Sequence, residues 1–147
     1  MQALGRNQLT VAVAAAAFIA GITLGAALAR EPSKRFALLL ATSKTVMDEP
    51  IVYPSGAAKI TTGIIALDPG DETGWHTHGV PLTGLILEGD LTVDYGDKGT
   101  RVFHQGESIA EAINIPHNGR NLGASPVKLF VAYAGAEGVP TMRPIKP

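Results

Sequence analysis

Residues 70–89 read GDETGWHTHGVPLTGLILEG, and the histidine pair in this stretch decides how the chain is interpreted. Successive side chains of a β-strand point to opposite faces, so His76 and His78, two residues apart, place both imidazoles on one face. Two neutral imidazoles side by side supply half of a site for a divalent first-row metal. The remaining ligands must come from elsewhere in the chain, and His117 is the best-placed of the other histidines.

A second block surrounds His117, where residues 106–121 read GESIAEAINIPHNGRN. Together the two blocks resemble the paired motifs of the cupin superfamily, whose members are small β-barrels. The positions that match these motifs in residue type and interval are Gly70, His76, His78, Gly89, Gly106, His117 and Asn121. Two motifs in the correct order, at a cupin-like separation, favour this fold more strongly than either motif alone.

The resemblance covers residues 36–134 and implies an all-β fold, a single cupin-type, jelly-roll-like β-barrel within residues 36–147. It also implies a divalent metal ion held by His76, His78 and His117, with two or three positions left to water or a ligand. Fe, Mn, Ni, Cu and Zn are not distinguished. Because cupins host many reactions, the resemblance names neither a substrate nor a reaction.

This chain departs from the motifs at Leu82, which stands where the family has a glutamate, and at Ala112 and Asn114, which replace the usual Pro and Gly. Three neutral histidines leave the metal its full charge and open positions for water or an anionic substrate. Some cupin enzymes resemble this arrangement, so an iron-type oxygenase is compatible with it, and Leu82 makes the pocket more apolar. The alternative is a decaying site in a domain that survives as a binding or structural module.

The sequence also predicts the location or role of four other side chains near the motifs. Trp75 precedes His76 and is expected on the opposite face of the strand, in the core or, alternatively, as a pocket wall. Glu111 is interpreted as a surface residue or a member of an ordinary salt bridge, with a role beside the metal ligands as the alternative. Glu72, in a loop, is a weaker candidate for a replacement carboxylate. His104 is expected to face solvent.

Apolar and β-branched runs predict strands at residues 36–40, 59–67, 82–88, 91–95, 100–103, 107–113, 115–120 and 127–134. The turn at residues 88–90, Glu-Gly-Asp, predicts a hairpin between two of these strands. The tail from residue 135 is predicted to lie over the surface. No amphipathic helix is predicted after residue 35.

The first 35 residues differ in character and form a segment of their own, residues 1–35. Residues 9–29 are a run of 21 residues without a charged side chain. A helix of this length, at about 1.5 Å per residue, matches a hydrocarbon core of about 30 Å. We favour a retained membrane anchor, and a signal peptide cleaved after residues 27–29 is the alternative. Gly21 and Gly25 have the spacing that lets membrane helices pack closely, although an Ala/Gly-rich span also produces it by chance.

Charge and cysteine content exclude some functions. From residue 36 onward, 8 Lys and Arg against 12 Asp and Glu give −4, whereas 4 against 1 in the first 35 residues give +3. An acidic domain without a basic run is not expected to bind nucleic acid. The absence of cysteine excludes disulfides and thiolate metal sites. The cations after the span favour a cytoplasmic domain, yet a single span before a small domain is typical of exported proteins, and we expect a periplasmic location.

Three functions fit these observations. The first, which we rank highest, is a membrane-tethered cupin that binds a divalent metal and a small molecule, with oxygenase or isomerase chemistry if it is an enzyme. The second is a non-enzymatic accessory subunit of a membrane complex, assembled through the N-terminal helix. The third is a metal-free sensor or carrier of a small molecule. Many cupins form dimers, so the family resemblance also implies a homodimer as a general expectation.

Overall fold

The computed structural model describes residues 36–145 of the chain. Apart from one 3-10 turn, every regular element in this part is a β-strand, which confirms the all-β prediction for the described residues. The uncharged run at residues 9–29, with Gly21 and Gly25, lies outside them. Within residues 36–145, no helical segment has the length and apolar character needed to span a bilayer.

Nine strands follow one another along the described residues. They are β1 (Ala58–Leu67), β2 (His76–His78), β3 (Leu82–Glu88), β4 (Leu91–Asp94), β5 (Thr100–Phe103), β6 (Ser108–Ala110), β7 (Asn118–Arg120), β8 (Val127–Ala136) and β9 (Met142–Pro144). The 3-10 turn, Gly96–Lys98, connects β4 to β5.

The strands pair in three groups, all antiparallel. One sheet has the order β1-β8-β3-β6, a second has the order β5-β4-β7, and β2 pairs with β9. A backbone bridge between His76 and His117 connects β2 to the residue before β7, so the last two groups continue into one another.

Alternating side chains from the two larger sheets form the core. In β3, Leu82, Gly84 and Ile86 are buried, while Thr83 and Leu87 are exposed and Leu85 is partly buried. This is the period of two that a strand with one buried face requires. The buried cluster contains Leu67, Leu82, Ile86, Leu91, Val93, Tyr95, Ala112, Val127, Leu129 and Val131. Because its members come from both sheets, the core fills the space between them.

The turn at Gly89 corrects the predicted hairpin. β3 pairs with β8 and β6, whereas β4 pairs with β5 and β7, so the chain crosses from one sheet to the other here. Gly89 has a φ of 73°, and a Cβ at this position would lie 2.6 Å from the carbonyl oxygen of Pro126. Only glycine combines this backbone conformation with so close an approach.

Both ends of the described chain differ from expectation. The strand predicted at residues 36–40 was wrong: this segment has no strand pairing, and Phe36, Leu38 and Leu39 are 86%, 67% and 60% exposed. An apolar run becomes a strand only where another strand offers its backbone. The tail is largely exposed, as predicted, but it contributes strands that were not predicted: β8 extends to Ala136, and β9 pairs with β2.

Candidate metal centre

Three histidines meet where β2 lies beside the start of β7. His76 and His117 exchange two backbone hydrogen bonds of 3.0 Å, so they lie directly opposite each other. His78 is buried on the same face of β2 as His76, as the alternation predicts, and Thr77 between them is only partly buried. The ring centroids are 4.4–5.0 Å apart. One nitrogen from each ring lies within 4.8 Å of the other two, so the structure brings the three predicted residues together.

Each of these imidazoles is oriented by a backbone carbonyl oxygen. Nδ1 of His76 lies 2.8 Å from the carbonyl oxygen of Gly74. Nδ1 of His78 lies 3.0 Å from that of Thr141, and Nδ1 of His117 lies 2.9 Å from that of Ile115. A carbonyl oxygen only accepts hydrogen bonds, so Nδ1 carries the ring proton in each residue. Nε2 of each neutral ring is therefore left with a free lone pair.

The Nε2 atoms of His78 and His117 lie 3.3 Å apart. With both ring protons on Nδ1, neither Nε2 can donate to the other, and two lone pairs face each other. Two nitrogen ligands at about 2.0–2.2 Å from one ion are themselves separated by about 3–3.5 Å in tetrahedral or octahedral geometry. The observed spacing therefore fits two ligands of a single cation, and His76 offers the third.

Burial keeps the three imidazoles neutral. Desolvation lowers the pKa of all three, in His78 to about 4. The nearby ring of His117 lowers the pKa of His76 and His78 further, while the carbonyl contacts oppose the shift without reversing it. The neutral imidazole is the form that binds a metal. The cluster is therefore in its ligand form at neutral pH.

The three histidines line a cavity of about 70 Å³ between the sheets. One water requires about 10–15 Å³ of such space, so the cavity holds a few waters or one small molecule. Its aliphatic wall comes from both sheets and consists of Ile65, Leu82, Leu91, Val93, Ile109, Leu129 and Val131. The polar side chains in the wall, besides the histidines, are Thr73, Glu111 and Tyr133.

Glu111 lies in this cavity wall, so its interpretation as a surface residue was wrong, and the alternative of a position beside the three histidines agrees with the structure. It is 5% exposed. Its Oε1 accepts hydrogen bonds of 2.7 Å from the hydroxyl of Tyr95 and from the backbone N–H of Ala112. Burial raises the pKa of Glu111 above its ordinary value, while the two hydrogen bonds oppose this shift. A buried carboxyl group thus shares the cavity with three neutral histidines.

Leu82 and Trp75 occupy different surroundings. Leu82 is buried in the cavity wall, as the motif position implies. Trp75 is only partly buried and belongs neither to the cavity wall nor to the buried core. The far end of its ring lies 3.9 Å from where a Cβ at Gly96 would be, so it packs towards the turn between β4 and β5.

The two remaining candidates lie on the surface. Glu72 does not line the cavity. Its Oε2 instead accepts a hydrogen bond from Asn118 Nδ2 at 3.0 Å and lies 3.5 Å from Arg120 Nε. His104 is exposed, as predicted, with its Nδ1 3.0 Å from Oδ1 of Asp90. The hydrogen bond to Asp90 raises the pKa of His104.

Two tyrosines of the site were missed from the sequence. Tyr95 follows β4 and contacts both Glu111 and, at a ring-centroid distance of 5.8 Å, His117. Tyr133 is in β8, and its ring centroid lies 5.8 Å from that of His78. The alternation Leu129, Val131, Tyr133 is the sequence signal that points Tyr133 inward.

Comparisons with known proteins agree on the fold. A family model described as "Cupin domain" matches residues 63–133. The comparison with curated proteins finds no match. The structure is similar to an oxalate decarboxylase of Lactobacillus farciminis in complex with formate, at 18% identity and a TM-score of 0.51, over 58% of this chain and 26% of that one. This chain thus corresponds to about a quarter of the decarboxylase.

A second similar structure is an uncharacterized conserved protein with a double-stranded beta-helix domain from Klebsiella pneumoniae subsp. pneumoniae. The identity is 14% and the TM-score 0.50, over 79% of this chain and all of that one. Both similarities concern the fold. The family match encloses both motif blocks, from Gly70 to Asn121, together with strands β2–β7 that carry them. The chain therefore contains a cupin domain, formed around residues 63–133.

Proposed function

We propose that this domain binds one divalent first-row metal ion through His76, His78 and His117, and that the ion presents a small molecule inside the barrel. The observation that carries this proposal is the pair of facing Nε2 lone pairs, 3.3 Å apart in His78 and His117. Facing lone pairs repel unless something positive lies between them. A cation also suits the oriented, neutral imidazoles, whose Nδ1 protons already have acceptors.

The donor set narrows the choice of metal. Imidazole nitrogen suits Zn²⁺, Cu²⁺, Ni²⁺ and Fe²⁺, whereas Mn²⁺ and Mg²⁺ prefer carboxylate and carbonyl oxygen. An ion with three protein ligands keeps open positions, at which it acts as a Lewis acid towards a bound molecule. Around those positions the cavity has aliphatic walls and one tyrosine hydroxyl, that of Tyr133. Its volume of about 70 Å³ favours a molecule of a few non-hydrogen atoms.

Elemental analysis of the purified full-length chain tests the metal site. We expect about one metal ion per chain in the wild type and a loss of most of it in the variants His76→Ala, His78→Ala and His117→Ala. His104→Ala is the matched control, because it removes an exposed histidine outside the site. Equal metal content in all five proteins, or none in any of them, would contradict the proposal.

We further propose that residues 9–29 tether this domain to a membrane and that the domain lies on the periplasmic side. There the chain serves as a metal-binding cupin or, alternatively, as an accessory subunit of a membrane complex. The 21-residue uncharged run supports the tether. Full-length protein should remain in the membrane fraction after carbonate extraction, and a matched variant that begins at residue 30 should not. A mature N-terminus at residue 30, in soluble protein, would refute it.

A further inference from the structure

We propose that Glu111 is the anionic partner of the metal site, entering the cavity from the strand beside Leu82 and compensating the charge of the ion. This inference rests on the metal site proposed above. It assigns to this chain a carboxylate on a different strand from the motif position that Leu82 occupies.

The backbone determines where the Glu111 side chain points. In the pairing of β3 with β6, Gly84 lies opposite Ile109, and the N–H of Glu111 donates to the carbonyl oxygen of Leu82 at 3.0 Å. Continuing this register, Leu82 lies opposite Glu111, directly after the end of β6, and the side chains of Leu82, Ile109 and Glu111 all line the same cavity. Leu82 and Glu111 are thus cross-strand neighbours with side chains on the same face. Both line the histidine cavity.

One oxygen of this carboxylate is held and the other is free for a ligand. Oε1 accepts two hydrogen bonds of 2.7 Å, from Tyr95 and from the N–H of Ala112. Within residues 36–145, Oε2 has no hydrogen-bond partner, and Glu111 takes part in no salt bridge. Glu111 is also the only acidic side chain among the residues that line the cavity. It is a buried acid without a directly bonded cation, although the charge of Arg101, further away, lowers its pKa slightly against the effect of burial.

The carboxylate of Glu111 and the metal ion each reduce the free-energy cost of burying the other. A carboxylate without a partner is costly in an aliphatic cavity, and so is a divalent ion whose three ligands are all neutral. Together they leave a smaller net charge, and in the low dielectric of the cavity their attraction is stronger than it would be in water. The group of ligand atoms within 4.8 Å of one another contains only the three histidines. Glu111 therefore acts across the cavity, as a charge and as an acceptor for what the ion binds.

The variant Glu111→Gln isolates the charge. Its side-chain carbonyl can still accept from Tyr95 and Ala112, while the negative charge is lost. The matched control is Glu88→Gln, on the same strand as Leu82, because Glu88 is an exposed carboxylate bound to Lys128 at 2.7 Å. Zn²⁺ affinity of the full-length chain is measured by competition with a chromogenic chelator, and melting of the metal-free protein is measured in parallel.

We expect Zn²⁺ to bind about 10–100-fold more weakly to Glu111→Gln, the range that groups outside the ligand set typically contribute. Glu88→Gln should bind like the wild type. The metal-free Glu111→Gln protein should melt at the same or a higher temperature, because it no longer buries an ionisable group. Weaker metal binding without lower metal-free stability is the signature of a charge partner, since a purely structural role would reduce stability instead.

Two further results would overturn the inference while leaving the metal site intact. One is wild-type Zn²⁺ affinity in Glu111→Gln. The other is an equal loss of affinity in Tyr95→Phe, which keeps the carboxylate and removes only one of its hydrogen bonds. If Glu111→Gln does not fold, Glu111→Met takes its place in the same comparison. An absence of Zn²⁺ binding in the wild type would refute the metal site itself.

Discussion

The ring of His78 is held in place by Thr141, a residue 63 positions further along the chain, whose carbonyl oxygen lies 3.0 Å from Nδ1. Thr141 directly precedes β9, and β9 pairs with β2 so that Met142 lies opposite His78 and Pro144 opposite His76. The same strand is anchored by the N–H of Ile145, which donates to the carbonyl oxygen of Trp75 at 2.9 Å. The geometry of two histidines thus depends on the C-terminal strand.

Removal of this strand should weaken the metal site more than the barrel. A chain that ends at residue 138 loses the acceptor that fixes the tautomer of His78 and the backbone partners of β2. We expect metal affinity to fall about 10–100-fold, as for other partners that orient ligands. A chain that ends at residue 145 keeps β9 and is the control. Circular dichroism checks the fold, and unchanged affinity in the shorter chain would contradict the prediction.

The motif residue Asn121 has a structural role that can be tested separately. It is fully buried, its Nδ2 donates to the carbonyl oxygens of Leu67 and Ser125 at 2.9 Å, and its Oδ1 accepts from the N–H of Gly123 at 3.0 Å. Each buried group left without a partner costs about 1–3 kcal/mol, so Asn121→Ala should lower the free energy of unfolding by at least about 2 kcal/mol.

Urea unfolding measures this loss, with the exposed Asn114→Ala as the control. Asn121 does not line the cavity. The variant should therefore keep its metal content per folded chain. A loss of metal from folded Asn121→Ala protein would show that this residue supports the site directly.

Much of the fold was predictable from the sequence because alternation and turns are local signals. The alternating run in β3 and the β-branched run in β1 were both expected, and the interval of two between His76 and His78 gave their common face. Sheet membership was not predictable. The turn at Gly89 has the composition of a hairpin, yet the chain changes sheets there, because that choice depends on long-range packing.

The three candidate ligands could be predicted from the sequence, and the side chains and backbone around them could not. The motif intervals implied His76, His78 and His117, because imidazoles at fixed positions are visible in the sequence. Thr141 contributes through its backbone, so its side chain carries no signal. Glu111 was interpreted as a surface residue because charged side chains are rarely buried, and its burial depends on pairing between β6 and β3.

The buried carboxyl group should produce a defined pH dependence in the metal-free protein. The pKa of Glu111 is raised from 4.5 in the folded state, mainly by desolvation, so the folded protein holds this proton more tightly than the unfolded chain. Its contribution to stability is therefore greatest at low pH and falls as the pH rises above about 4.5 through the raised value. Relative to Glu111→Gln, the wild type should lose stability with increasing pH in urea unfolding. Parallel curves for the two proteins would contradict this.

The substitution Leu82→Glu restores the family's glutamate beside Glu111 and tests how much negative charge the cavity accepts. In the wild-type background it places two carboxyl groups on neighbouring inward positions. Without metal, we expect the barrel to be destabilised by several kcal/mol, or one carboxyl to stay protonated. Added Zn²⁺ or Fe²⁺ should reverse much of the loss, because the ion then has two anionic partners.

The double variant Leu82→Glu, Glu111→Gln separates charge from position. It moves the carboxylate from the residue after β6 to β3 and keeps the total charge of the cavity, so it should regain most of the metal affinity that Glu111→Gln loses. The double variant Leu82→Gln, Glu111→Gln carries no carboxylate at either position and is the neutral control, so its metal affinity should stay as low as that of Glu111→Gln. The coupling energy between the two positions follows from the Zn²⁺ affinities of the wild type, the two single variants and the double variant. The effects of neighbouring substitutions on affinity are not additive when the two residues share a partner. If Leu82→Glu lowers the melting temperature and no metal restores it, the histidine cluster is structural. The accessory-subunit function would then be the better explanation of this domain.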